Sequence, residues 1–389
     1  MENIAYYKDI IFYKGVFYTD VINIKVVHLH NRINSPYMPS DIMMIKHLYN
    51  QDEIEKYDKG ILLLEGFHNN MGHLLWDCMY PSYYGLLFHK EEESQNDFQW
   101  MTLDNLYQQY SDGWHLDIIE KFSGNKVNTP NIMSNMFDKP VKIPYLIVGI
   151  KNIGIGIINS DFTVSRQLKN HINDPVETFV NRMYSRYNIL RNTHLNKEVI
   201  EYPININYII NKRPYNNIES LFDKLNKHYT NKFNFNIIDY SKYNFEEQLN
   251  ILNNTGIIIC GVGTARTRTP LLPNGSIEIQ TNTHCLSLPN NINYYDYHIG
   301  TLSKYIKIYN ITQYTIEECI NEKYSQELEN IIDECINIFT HIKFPINIDN
   351  NIPQYILNLK GKIDEYAFAR WRNSLSNDIG DLIKSIYML

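Results

Sequence analysis

The chain has 389 residues, 44% of them apolar, and a formal net charge of −7 at pH 7. That length suits about two domains with real cores, and the acidic balance argues against a basic nucleic-acid-binding face. No uncharged apolar run approaches the roughly 18 residues of a membrane helix, and the opening MENIAYYKDIIFYKG carries Glu2 and Asp9 where a secretory leader would be apolar, so a cytoplasmic protein is expected.

Residues 1 to about 60 read as short strands and turns, with β-branched residues from Val16 to His30. His28 and His30 would share a strand face, as surface histidines rather than a metal pair, because no third ligand lies nearby. Ile61 to Leu64 is a buried-type strand that runs into the polar stretch from Glu65 to His73. A helix is expected from Leu74 to about Phe88, bent or interrupted at Pro81. His73 and Asp77, spaced i, i+4, would lie on one helix face. That pair reads either as a surface pair or as a general base with its carboxylate.

Helices are expected around Leu103–Tyr110 and Leu116–Phe122, and a strand from Val141 to Gly149. Ile153 to Ile158 reads as a loop or edge, and Phe162 to Leu195 as charged and helical, with Phe179, Met183 and Tyr187 recurring every four residues. The domain join falls there. Ile204 to Asn211 then opens a second α/β unit, followed by Lys212, Arg213 and Pro214. Ile218, Leu221, Phe222, Leu225 and Tyr229 mark one face of the next helix, and Asn234 to Asp239 the next strand.

From Phe245 to Thr281 the chain reads helix, strand, Gly-containing loop and strand. Asn244 and Glu247 form a capping box, and Gly256 is expected to stop the helix. Ile257 to Cys260 is a run suited to a strand buried on both faces. At its carboxyl end stand Gly261, Gly263, Thr264, Arg266 and Arg268, small residues and fixed charges that suit an anion. A lone GxG is as often a tight turn. Further helix or strand is expected over Ile299–Tyr309 and Ser325–Phe339, and a closing helix from Ile363.

The five cysteines, Cys78, Cys260, Cys285, Cys319 and Cys335, form no CxxC pair, and their odd count suits reduced thiols. The 31 tyrosines accompany abundant Asn, Ile and Lys, as A/T-rich coding produces, and are no sign of a sugar platform. The sequons at Asn253, Asn274 and Asn310 are expected to be accidental.

Three blocks in this order resemble the family 61 glycosyltransferases, which include the EGF-domain and dystroglycan O-GlcNAc transferases and plant xylan-modifying enzymes. Asn70, His73, Asp77 and Pro81 stand as that family's N-x-x-H-x-x-x-D block with its following proline. Ile210, Asn211, Lys212 and Arg213 stand as its basic strand end. Phe245, Gln248, Gly261, Ala265, Pro273, Gly275 and Glu278 follow its third pattern. The family usually carries His-Gly-Ala in the Gly-rich loop, where this chain has Gly263, Thr264 and Ala265; Arg266 and Arg268 stand nearby as replacement charge.

The resemblance implies a GT-B-like α/β fold, two Rossmann-like domains facing across a cleft. It divides the chain into an acceptor-side domain over 1–180, a nucleotide-sugar-binding domain over 181–350, and a C-terminal helix over 351–389 that packs across the domains. It implies an inverting glycosyltransferase with a nucleotide-sugar donor, UDP-linked, and a glycan or protein acceptor. His73 is favoured as base with Asp77 orienting it, the reverse staying open, while Asn70 orders the loop. Lys212, Arg213, Gly261, Gly263, Thr264, Ala265, Arg266 and Arg268 would hold the donor, and Glu278, at a strand end, its ribose hydroxyls. The chain contains no Asp-x-Asp pair, so no metal or cofactor is expected, protein cations neutralising the departing diphosphate. Two other readings stay open: a non-catalytic nucleotide- or glycan-binding protein of the same fold, and a methyltransferase using the GVG loop.

Overall fold

The computed structural model describes residues 5–18, 53–64, 71–102, 113–148, 175–194, 202–210, 217–261, 265–281, 307–311 and 322–341. The chain divides into two compact units, Met1–Asn188 and Ile189–Leu389. The expected pair His28 and His30, the helix around 103–110, the segment 153–158 and the closing helix from 363 lie outside the described residues.

The first unit begins with β1 (Ala5–Tyr13) and β2 (Val16–Tyr18), an antiparallel hairpin. Lys14 and Gly15, between the two strands, have φ of 46° and 81°, the left-handed pair that a two-residue hairpin turn requires. Then come β3 (Glu55–Lys56), β4 (Ile61–Leu64), a π-helical segment His73–Met79, α1 (Tyr80–His89) and β5 (Gln99–Thr102). α2 (His115–Ser123), α3 (Pro130–Met136), β6 (Val141–Val148) and α4 (Pro175–Arg186) complete the unit. The sheet order is β2-β1-β6-β4-β5, with β3 also on β6. β1 runs antiparallel to β6, whereas β4 is parallel to both β5 and β6.

Ile10, Phe12, Leu63, Ile143 and Met133 build one core of this unit. An aromatic cluster forms another, with Phe179 of α4 centred 4.8 Å from Phe122, and 5.5 Å from both Trp76 and Tyr80. Arg182 lies within that cluster and donates to three carbonyls, from Nε to Phe122 at 2.9 Å, Nη1 to Ser94 at 2.9 Å and Nη2 to Asn96 at 3.0 Å. These contacts tie α4 into the first unit, so the division of the chain falls after Asn188.

The second unit contains β7 (Ile204–Ile209), α5 (Ile218–His228), β8 (Phe233–Ile238), α6 (Phe245–Asn253) and β9 (Thr255–Gly261). A 3₁₀ segment Arg266–Leu271, β10 (Ile277–Thr281), β11 (Lys307–Ile311) and α7 (Glu322–His341) follow. All five strands are parallel, in the order β11-β10-β9-β7-β8. Alternation in β7 sends Ile204, Ile206 and Tyr208 into a core with Leu221, Phe222 and Leu225 of α5 and Leu328, Ile332 and Phe339 of α7. On the opposite side Asn236 Nδ2 donates to Asn207 Oδ1 at 2.9 Å, and Asn207 Nδ2 to Thr255 Oγ1 at 2.6 Å.

The capping box of α6 is present, with Glu247 N donating to Asn244 Oδ1 at 2.9 Å and Asn244 N to Glu247 Oε2 at 2.8 Å. Gly256, expected to stop that helix, instead lies inside β9. A Cβ there would overlap Ile204 Cγ2 and come within 3.0 Å of Phe339 Cζ, so close packing, not helix termination, accounts for the glycine. Asn253, the first sequon asparagine, is buried, and its Nδ2 donates to the Leu190 carbonyl at 2.9 Å.

Candidate functional site

In each unit the polar motif leaves a sheet at the point where the strand order reverses. In the second unit, β7, β8, β9, β10 and β11 take the spatial order second, first, third, fourth, fifth. The first connection runs outward to β8, and the next crosses back to place β9 on the other side of β7. The crevice between the carboxyl ends of such a pair is where open α/β sheets bind ligands. Ile209 of β7 is level with Cys260 of β9, so both chains leave the sheet at one height. Lys212 and Arg213 follow β7, and Gly261, Gly263 and Thr264 end or follow β9. Lys212, Arg213, Gly263 and Thr264 lie outside the described residues.

The first unit repeats this logic. β4 sits between β5 and β6, parallel to both, so its carboxyl end is also a switch point. The stretch that leaves it carries Asn70, outside the described residues, and then His73 and Asp77. His73 is the first residue of the π-helical segment, and Asp77 belongs to the same segment, within one wide turn.

Beyond β9 the structure corrects three expectations. Arg266 and Arg268, read as charges presented at the strand end, are buried, Arg266 completely. Glu278, read as a strand-end carboxylate, is the second residue of β10 and has no exposed surface. The reason is the 3₁₀ segment Arg266–Leu271, all six of whose residues are buried. It carries the Arg266 Nε to 3.5 Å from Glu278 Oε1. Cys260 Sγ donates to the same oxygen at 3.3 Å. Burial pushes the Glu278 carboxyl up from its ordinary value, while Arg266 and the side chains of Gln280, Cys260 and Thr269 pull it back.

Arg268 is held separately. Its Nε donates to Gln248 Oε1 at 2.9 Å, and its guanidinium lies 4.5 Å from the centre of the Tyr240 ring. Gln248 Nε2 in turn donates to the carbonyls of Tyr240 and Tyr243 at 3.0 and 2.8 Å. Loss of solvation lowers the Arg268 pKa and raises that of the Tyr240 phenol. Sequence reasoning placed Gln248 in a motif without a role; the structure makes it the link between α6 and the segment after β9. Tyr240 and Cys260 carried no signal of their own.

Gly261 closes β9 and Ala265 precedes the 3₁₀ segment, so the described residues on both sides of 262–264 are fixed in a buried frame. A buried ionic and amide cluster thus stands next to the carboxyl end of β9. Two sheets whose central strands run parallel, each with a switch point, define an α/β protein. The sequence matches the Glycosyltransferase 61 family model over residues 71–277, more than half of the chain, and the protein belongs to that family. It is therefore a glycosyltransferase, with sugar donor and acceptor as substrates. The match covers His73, Asp77, Lys212, Arg213 and the whole loop after β9; Asn70 and Glu278 fall just outside its two ends. No curated protein matches the sequence. Among the described residues no helix is long and apolar enough to cross a membrane.

Proposed function

We propose that the protein is an inverting glycosyltransferase of GT-B type that moves a sugar from a UDP-linked donor to an acceptor hydroxyl. The observation that carries this reading is the coincidence of motif and switch point in both sheets. The basic element after β7 and the Gly-rich element after β9 leave adjacent parallel strands, as a diphosphate-binding crevice needs. Lys212 and Arg213 supply positive charge to the donor diphosphate, and backbone N–H groups of Gly263, Thr264 and Ala265 supply donors. Arg266, Arg268 and Glu278, all buried, hold the frame of that loop in place of the direct donor contacts their sequence positions suggest. Protein cations offset the charge of the departing diphosphate, so the donor site is proposed to work without a metal.

In the first unit His73 takes the proton of the acceptor hydroxyl as its oxygen attacks the anomeric carbon, and Asp77 orients the imidazole. The new bond is carbon to acceptor oxygen. The bond from the anomeric carbon to the diphosphate oxygen breaks, and UDP leaves with the electron pair. Asn70 orders the chain before the helix.

The test is a thermal-shift titration with UDP, UDP-sugars and S-adenosylmethionine, with and without EDTA, followed by assay of UDP release. A ligand that binds only the folded chain at a hundred times its Kd adds about 2.7 kcal/mol. A shift with a UDP ligand that survives EDTA, with release of UDP when acceptor is supplied, is the expected result. No shift with any UDP ligand would overturn the donor assignment, and a shift with S-adenosylmethionine alone would favour methyl transfer. A UDP-sugar shift without release over many acceptors would favour a binding protein.

A further inference from the structure

The helix that begins at Met71 continues without interruption to His89, but its winding changes on the way. His73–Met79 is π-helical and Tyr80–His89 is α-helical. At the join the Tyr80 N–H donates to the carbonyl of Leu75, five residues back, where an α-helix would use Trp76. Pro81 comes next in the chain. A proline ring carries no N–H and collides with the carbonyl four residues before it, which here belongs to Asp77. An α-helical turn at this point would drive the ring into the backbone of Asp77. A turn with hydrogen bonds five residues back avoids that conflict, so the π segment has a local cause in Pro81.

The wide turn is also held from both sides. Just past Pro81, Ser82 Oγ donates to the carbonyl of Leu63 in β4 at 2.6 Å, and both groups are buried. The Tyr83 ring packs 5.1 Å from Phe122 and 5.9 Å from Phe179. Within the π segment Leu74, Leu75, Trp76 and Met79 are buried. With α1 pinned to β4, a change of winding cannot be absorbed by turning α1. It must turn the part that carries His73 and Asp77. Losing one residue from a wide turn corresponds to a rotation of about 100° and a shift of about 1.5 Å along the axis.

We infer that Pro81 is a positioning residue of the transfer reaction: it forces the π turn and thereby sets where His73 and Asp77 stand relative to β4. The inference rests on the assignment of His73 as the base. The effect of Pro81 runs through the helix backbone.

The experiment compares wild-type protein with Pro81→Ala and His73→Ala, by UDP release from UDP-N-acetylglucosamine, UDP-glucose and UDP-xylose, thermal midpoint, and NMR titration of the His73 imidazole, assigned by its loss in His73→Ala. Rewinding would turn the buried Leu74, Leu75, Trp76 and Met79 out of their packing, so the midpoint of Pro81→Ala is expected to fall. Its kcat is expected to fall at least tenfold with donor KM within about twofold, and its His73 titration to shift. A merely structural proline would lower the midpoint with kcat and the His73 titration unmoved. A Pro81→Ala protein with wild-type kcat or an unmoved His73 titration would overturn the inference. Wild-type turnover in His73→Ala would instead overturn the base assignment, whatever Pro81→Ala does. The imidazole titration needs no substrate, so it decides the positioning claim even if none of the three donors is used.

Discussion

Arg266 Nε lies 3.5 Å from Glu278 Oε1, and neither side chain has exposed surface. Removing one member of a buried pair leaves the other charge without compensation, at a cost of about 3–5 kcal/mol. Arg266→Met is therefore expected to lower unfolding stability by that order in urea titration. The double variant Arg266→Met, Glu278→Leu removes both charges of the pair, and its loss should be well below the sum of the two single losses. Additive losses would show that the two groups do not act as a pair.

Arg182 makes a different kind of buried contact. Its guanidinium satisfies the carbonyls of Ser94, Asn96 and Phe122, and it lies 4.9 Å from the centre of the Phe98 ring. Burial lowers its pKa to about 10, still leaving it charged at neutral pH. Arg182→Met should cost about 2 kcal/mol or more, since it takes the charged donor from the buried carbonyls of Ser94 and Phe122 at about 1–3 kcal/mol each. Arg182→Lys should recover little of this, because one ammonium cannot span the fork. Urea midpoints at constant m-value provide the check.

His89 supplies a pH dependence. Its ring stacks on Tyr6 at 4.5 Å, and burial lowers its pKa from the ordinary 6.5. The folded chain thus binds this proton less tightly than the unfolded chain. The contribution is fully present above pH 6.5 and is lost as pH falls through the lower folded value. His89→Phe keeps the stacking and removes the titration, so its stability should fall less than wild type between about pH 7 and pH 5. Parallel pH profiles for the two proteins would refute this.

The kinetic roles separate by unit. His73→Ala should lower kcat by about 10²–10⁴, the usual weight of general-base catalysis, with little change in donor KM. Lys212→Ala and Arg213→Ala should each weaken donor binding by about tenfold to a hundredfold, the value of a charged hydrogen bond of about 1.5–3 kcal/mol. Steady-state kinetics and UDP titration distinguish the two patterns. A donor KM effect confined to His73→Ala would reverse the assignment of units.

What the chain determined by itself was periodic or adjacent. Ile218, Leu221, Phe222 and Leu225 recur at helical spacing, so the buried face of α5 could be read directly. The Asn244 and Glu247 capping box and the apolar run Ile257 to Cys260 were legible for the same reason: each depends on residues within one turn or one strand. The family was legible as well. Pro81 announced a disturbance in its helix, but a bend and a π turn share that signal, and only the Tyr80 to Leu75 hydrogen bond distinguishes them.

The tertiary structure decided what depends on distant partners. Strand order placed β9 beside β7 and β6 beside β4, and so created the two switch points. It also buried Arg266, Arg268 and Glu278, which a linear reading set at open strand ends. The direction in which a short 3₁₀ segment folds is set by what receives it. Here the receivers, Gln248 and Tyr240 for Arg268 and Glu278 for Arg266, come from elsewhere in the chain. An arginine in a glycine-rich stretch looks the same in sequence whether it faces a phosphate or a buried carboxylate; only the packing around it selects between them.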